Sequence, residues 1–400
     1  MTTVEVAEDF AQDAHLFAEL LRAGGPVRLA RMPRGLDCYI VTDFAQARAL
    51  LADSRLQKDN VRAHALFESK LPAGATAQGG FGEALGHHML NTDPPDHSRL
   101  RKLVNKAFTG RTVARLRPRI EEITAELLDA LAGQERADLL PSFAAPLPIT
   151  VICELLGVAP EHRTEFADWS KTLLSSSEPE DAQAAAQNMF GYLTGLIAQK
   201  RAEPAEDLLS DLVHASDDGD SLSEPELVSM AFLLLVAGHE TTVNLIANGV
   251  LALLRRPEQL ALLRADPSLL PNAVEEFLRF DGPIHLATLR FTVEPVEAGG
   301  VTIPEGEFVL ISLLGANRDE ERYAEPDKLD ITRAAGGHLA FGHGIHYCVG
   351  APLARLEAEI ALGGLIARFP DLALDAKPDE LVYRPSSLIH GLESLPVRLR

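Results

Sequence analysis

Cys348 stands in the run Phe341-Gly342-His343-Gly344-Ile345-His346-Tyr347-Cys348-Val349-Gly350. A cysteine acts as nucleophile or metal ligand only as thiolate, and its surroundings decide whether it reaches that form. Glycines flank it, and glycine admits positive φ and the close approach of another group. Directly after it, Ala351, Leu353, Ala354, Leu356, Ala358, Ile360 and Leu362 read as a helix. The unpaired N–H groups and positive dipole end of a helix start favour thiolate beside them. A thiolate in a glycine loop, open on one side, suits a flat metal cofactor. Taken alone, a lone free cysteine is more often an inert core thiol. His343, His346 and Cys348 are also zinc-type ligands.

Three other sets of residues have useful chemistry. His97 and Arg101 are four apart on a helix that the prolines of Asp93-Pro94-Pro95-Asp96 force to start near Asp96. Alone, such a pair is an ordinary solvated face. Val236-Ala237-Gly238-His239-Glu240-Thr241-Thr242 places small residues, an acid and hydroxyls inside an oily helix. Glycine there costs about 1 kcal/mol relative to alanine, and threonine can bend a helix by bonding the i−4 carbonyl. A bent core helix with satisfied polar groups would read the same way. Glu276 and Arg279, three apart, share a helix face.

The elements that must position these residues are mostly helical. Ser223-Glu224-Pro225-Glu226 is a capping box opening a helix to about Leu254. At 1.5 Å per residue that helix is on the order of 45 Å long. Leu116, Ile120, Ile123, Leu127, Leu128 and Leu131 form one stripe, and Ile149–Leu156 and Phe190–Ile197 are similar. Pro26–Thr42 reads as two strands around Pro33-Arg34-Gly35, followed by a helix from Phe44 to Leu51. Leu289–Leu313 reads as strands with a hairpin at Gly299-Gly300. Gly74–Gly86 reads as a mobile loop, and 175–180 as an exposed break.

The chain has 400 residues, 46% hydrophobic and 24% charged, with a net charge of −21. That charge argues against nucleic-acid binding. The acidic start lacks a signal-peptide apolar region, and the apolar run Met230–Ala237 is too short to span a bilayer. The expectation is a cytoplasmic monomer without membrane attachment. Cys38, Cys153 and Cys348 are widely spaced and imply no disulfide framework. Cys38 and Cys153 read as core thiols.

The loop Phe341-Gly342-x-Gly344-x-His346-x-Cys348-x-Gly350 closely resembles the haem-binding loop of the cytochrome P450 family. Ala351-Pro352-Leu353-Ala354-Arg355-Leu356-Glu357 resembles its soluble bacterial branch, and the likeness runs from about Pro26 to the C-terminus. It implies one P450 domain over residues 1–400, mainly α with small β-sheets, a triangular prism with a long central helix over haem. Cys348 would be the axial thiolate of haem b, pushing electron density onto iron. Phe341, Gly342, Gly350, Ala237 and Gly238 would contact haem, and His97, Arg101, Arg290 and His346 its propionates. Glu240 and Thr241 would manage protons for O₂ activation, and Glu276, Arg279 and Arg333 would form a structural triad. Glu320-Glu321-Arg322-Tyr323 departs from the pattern, in a surface loop.

The activity implied is monooxygenation of a lipophilic compound, with electrons from NAD(P)H through a ferredoxin reductase and a ferredoxin. Arg99, Lys102 and Arg355 are candidates for docking that ferredoxin. Positions matching the family's pocket are Met89, Leu90, Val236, Ala237, Ile284, His285, Leu286, Ala287, Leu388 and Ile389. They favour a lipophilic substrate, and the resemblance points to a macrolide, another polyketide, a terpenoid or a steroid of secondary metabolism. An H₂O₂-using peroxygenase and a non-catalytic haem sensor are the rival readings. The acid–threonine pair argues for O₂.

Overall fold

A computed structural model describes residues 3–33, 35–70, 85–175, 178–217, 220–377 and 380–400. The chain is mainly helical with small sheets. It divides into two compact units: residues 1–56, 117–148 and 241–400 form one, and 57–116 and 149–240 the other.

The first unit is built on a mixed sheet. Val27–Arg31 and Asp37–Val41 pair antiparallel, with Val27 opposite Val41. Phe308–Ile311 joins parallel to the second of these, Val309 opposite Tyr39. Arg290–Thr292 closes on its other side, Val309 opposite Arg290. The β-branched residues of these strands explain the pairing, and Val27, Val41, Val309 and Ile311 form one buried cluster with Phe44, Ala47, Leu50 and Leu51. The last four lie on the helix Phe44–Leu51, capped by Asp43, whose carboxylate accepts from the Gln46 amide at 2.7 Å. The strand expected to reach Leu313 stops at Ile311, because Ser312 caps a short helix, Leu313–Ala316, by accepting from the Gly315 amide. Gly299 and Gly300 turn the hairpin between Val296–Ala298 and Val301–Ile303 at φ 55° and 77°.

The second unit is helical. Asp96–Ala107, Arg163–Leu174, Pro179–Ala202 and Leu208–His214 pack around Phe166, Met189, Leu193 and Ile197, all nearly inaccessible. Phe166 meets Trp169 and Tyr192 edge to face at 5.2 and 4.8 Å. The glycine stretch from Gly74 falls almost wholly on residues 71–84, outside those described.

The helix Glu224–Leu254 runs 31 residues and passes from one unit's residues to the other's after Glu240. It is long and apolar enough to cross a membrane, yet 83% of its most apolar window is buried in the protein. That makes it a core helix. Its start is half a capping box: Glu226 reaches back to the Ser223 amide at 2.8 Å, while the Ser223 hydroxyl donates to the same carboxylate at 2.9 Å.

Candidate active site

In the first unit, backbone geometry shapes the loop around Cys348. The Cys348 amide donates to Phe341 O at 2.9 Å and closes the loop on itself. Gly342 and Gly344 turn at φ 72° and 76°, which side chains rarely adopt. At Gly344 space is also limiting, since a Cβ would lie 2.9 Å from Ala52 Cα and from Leu51 O. A 3-10 turn, Gly344–His346, precedes the cysteine, and the helix Ala351–Arg368 follows with Pro352 in its first turn. Of the three cysteines only Cys348 is exposed. Burial pushes the Cys38 and Cys153 thiols up to about 12, so neither serves as a ligand. An open sulfur, two obligatory glycine turns and a helix start fit a flat thiolate-bound group such as haem.

Arg355, on that helix, lies over the Phe341 ring at 4.5 Å. It donates twice to Glu275, at 2.6 and 3.0 Å, and His338 approaches the same carboxylate at 3.3 Å. Burial alone would raise Glu275, but His338 and Arg355 outweigh it and hold the carboxyl at about 2. Glu275 and His338 belong to no motif, and sequence reasoning missed them.

Arg290 is buried on its strand and donates to Thr288 O at 3.2 Å. Nearby, Ile284 bridges Ile389, Leu286 bridges Ser312, and the His285 amide donates to Leu388 O at 3.1 Å. The structure therefore joins residues 284–285 to 388–389, while 286–287 pair with 311–312. Ile284 and Leu388 are half-buried, whereas His285, Leu286, Ala287 and Ile389 are buried. The His285 ring sits against Ser386 O at 2.9 Å; burial and the neighbouring His390 bring it down to about 3, so it is neutral.

In the second unit, His97 is buried on Asp96–Ala107, with half-exposed Arg101 one turn on. Burial, then the Arg101 cation, lowers His97 from its usual value. Met89 is buried and Leu90 half-buried on a short turn, Met89–Asn91.

The long helix has one opening. From Leu227 to Leu253 every residue is buried except Ala237, Gly238 and Thr241. These three are one helical turn of a single face. Val236, a candidate substrate contact, is buried instead. A Cβ on Gly238 would lie 2.8 Å from Ile152 Cδ1, so glycine lets Ile152 pack against the helix. Glu240 is buried, its Oε1 3.6 Å from His239 Nε2, and His239 Nδ1 bonds Leu235 O at 2.8 Å.

Glu276 and Arg279 are fully buried, not an exposed pair. Arg279 grips both Glu276 oxygens at 2.7 Å, Arg333 adds Nε to Oε1 at 3.3 Å, and the Asp330 amide donates to the same oxygen at 3.0 Å. The remaining guanidinium N–H groups reach carbonyls of residues 317 to 328. The set ties down backbone.

Two of the cations that the sequence offers as docking candidates are engaged within the chain. Arg99 is bound by Glu226 and Arg355 by Glu275, so their charge is largely neutralised. Among the described residues, the ligand-type side chains close enough to share one ion are His15, Asp281 and His390. His343, His346 and Cys348 do not converge in that way, which removes the zinc reading.

The chain matches the family model "Cytochrome P450" over residues 57–389. It is 55% identical to "Cytochrome P450 107B1" of Saccharopolyspora erythraea, over 100% of this chain and 99% of that one. It is 51% identical to "Cytochrome P450 monooxygenase PikC" of Streptomyces venezuelae, over 99% and 93%. Among solved structures it resembles the tirandamycin C-bound P450 monooxygenase TamI, with a TM-score of 0.93, 48% identity, and 99% and 100% of the two chains covered.

Proposed function

The chain belongs to the cytochrome P450 family and is a haem-thiolate monooxygenase, and from that premise we propose that its substrate is a macrolide or a related polyketide of secondary metabolism. The observation that carries the reading is the pairing of residues 284–285 with 388–389 and of 286–287 with 311–312, which holds a mostly apolar segment by backbone bonds. Backbone-held walls keep their shape while side chains select the ligand. Relatives whose names carry such a substrate support the class: 6-deoxyerythronolide B hydroxylase of Saccharopolyspora erythraea at 45% identity and the polyketide biosynthesis cytochrome P450 PksS of Bacillus subtilis at 40%.

Haem bound through Cys348 Sγ supplies the redox chemistry that activates O₂. Phe341, Gly342 and Gly350 form the loop that receives it. His97, Arg101, Arg290 and His346 bind its propionates, a task for which the planar guanidinium is suited. Ala237 keeps bulk off the open face of the long helix, and Gly238 beside it lets Ile152 pack close. Thr241 Oγ1 passes protons, and the Glu240 carboxyl takes them up and releases them. Reduction of O₂ consumes two electrons per oxygen atom inserted; these come from NAD(P)H through a ferredoxin reductase and a ferredoxin. The enzyme works in the cytoplasm.

The test is a binding screen on the haem-loaded protein, read by the shift of its Soret band, followed by turnover with NADH, ferredoxin and reductase. Macrolides and polyketide lactones should shift the band and yield a product one oxygen heavier. A screen in which only steroids or terpenoids shift it would refute the substrate class. Product formed with H₂O₂ faster than with the ferredoxin system would favour the peroxygenase reading.

A further inference from the structure

We propose that His15, Asp281 and His390 form a second metal site, apart from the haem loop, that takes a divalent transition ion of the zinc class. The three residues come from distant parts of the chain and meet within the first unit. His15 lies on the first helix, Ala14–Arg22; Asp281 is the last residue of the helix Leu270–Asp281; His390 follows the segment paired with Ile284.

The geometry is convergent. His15 Nε2 lies 2.7 Å from Asp281 Oδ1, and His390 Nε2 lies 2.8 Å from the same oxygen. The two rings stand at 77° with centroids 5.5 Å apart, so both nitrogens aim at one point. The three ligand atoms lie within 4.8 Å of one another. Zinc takes nitrogen and oxygen at about 2.0–2.2 Å, which sets tetrahedral ligand atoms about 3.3 Å apart. The carboxylate oxygen must therefore retreat by about half an ångström from the two nitrogens to admit an ion.

The electrostatics suit a cation. Burial would raise Asp281, but His390 and His15 outweigh it and hold the carboxyl well below the usual range. Burial, then the Arg318 cation, lowers His15, which favours the neutral ring that a metal requires. Arg318 opposes a second cation, but it is committed elsewhere: Nε and Nη2 donate to Phe280 O and Nη1 to Asp327. Ligation at Nε2 moves each ring proton to Nδ1. Nδ1 of both rings is buried and unpaired, so the move breaks no bond there.

Hydrogen bonding alone crowds both rings onto one oxygen. Two ring nitrogens converge on one carboxylate oxygen, while each Nδ1 lacks a partner with or without an ion. An ion between Nε2, Nε2 and Oδ1 uses all three groups and leaves a fourth position for water. Access is through His15, whose side chain is 27% exposed while His390 is 3% exposed. His390 stacks on Tyr383 at 4.7 Å and 11°, which fixes the plane of its ring. The His390 amide also donates to Pro283 O at 2.8 Å. A metal here would clamp the first helix to the strand pair 284/389.

The experiment is equilibrium dialysis of the haem-loaded protein against zinc, with zinc and iron counted by atomic emission. Haem loading keeps Cys348 engaged. Wild type should take up one zinc per haem and melt at a higher temperature with zinc than without, because an ion that binds only the folded state stabilises it. His15→Asn and His390→Asn should each weaken uptake at least tenfold and abolish the shift in melting. His15→Asn sits at a partly exposed position, so it remains informative if His390→Asn fails to fold; an unchanged Soret band certifies the fold. No zinc taken up by wild type overturns the proposal. So does equal uptake by His15→Asn, which would place the ion on other surface histidines.

Discussion

Cys348 and Thr241 are the residues on which the proposed chemistry turns. Cys348 is the one exposed thiol, held by the hydrogen bond its backbone N–H donates to Phe341 O and by two left-handed glycine turns. Serine at that position keeps the backbone and removes the thiolate. Cys348→Ser should therefore lose the strongly red-shifted Soret band of the reduced CO complex, the mark of thiolate ligation; a mutant that keeps the band refutes the assignment. Thr241 is the hydroxyl on the open turn of the long helix. Thr241→Ala should bind haem normally and consume NADH, but yield less product and more H₂O₂, since a missing proton donor uncouples reduction from insertion. Measuring NADH, product and peroxide together decides it: unchanged coupling leaves the threonine a structural role.

Among the elements, the long helix owes its opening to small residues on one turn. Gly238 sits against Ile152, and a Cβ there would come 2.8 Å from Cδ1 and 2.9 Å from Cγ1. Alanine would gain about 1 kcal/mol of helix propensity and lose about 1–3 kcal/mol to overpacking. Gly238→Ala should thus be destabilised by about 1 kcal/mol in denaturant unfolding. Ile152→Val removes the Cδ1 methyl, so the double variant should recover part of that loss, with a coupling of at least about 0.5 kcal/mol. Strict additivity would show that the helix does not press on Ile152.

At the scale of the whole molecule, pH acts through carboxyls that the fold treats in opposite ways. Glu275 is held down by His338 and Arg355, so its contribution is present above about 4.5 and is lost as pH falls toward about 2. Glu357, on the helix Ala351–Arg368, is the reverse. Both its oxygens are buried without a partner, and burial raises it well above 4.5. The folded chain keeps a proton that the unfolded chain releases, so stability falls as pH rises through that window. The slope is about 1.4 kcal/mol per pH unit for one proton. Glu357→Gln should raise the melting temperature at pH 7, with the gain closing as pH approaches 4. An equal gain at both pH values would assign the effect to packing.

Spacing along the chain was enough to identify the loop at Cys348, the helix starting near Asp96, the helix Phe44–Leu51, the glycine hairpin and the long helix with its Ala237-Gly238 interruption. Each is a local matter: glycine's freedom, proline's restriction, a cap, or a run of apolar residues with one period. Local patterns also placed Glu276 and Arg279 on one face. That the pair is buried and tied to 317–333 was decided only by packing, since burial depends on what covers a face. The same holds for Arg99 and Arg355, which read as free cations and are bound by Glu226 and Glu275. His15, Asp281 and His390 have no motif spacing, lying up to 375 positions apart. A constellation assembled from a first helix, a helix end and a late turn exists only once the chain has folded.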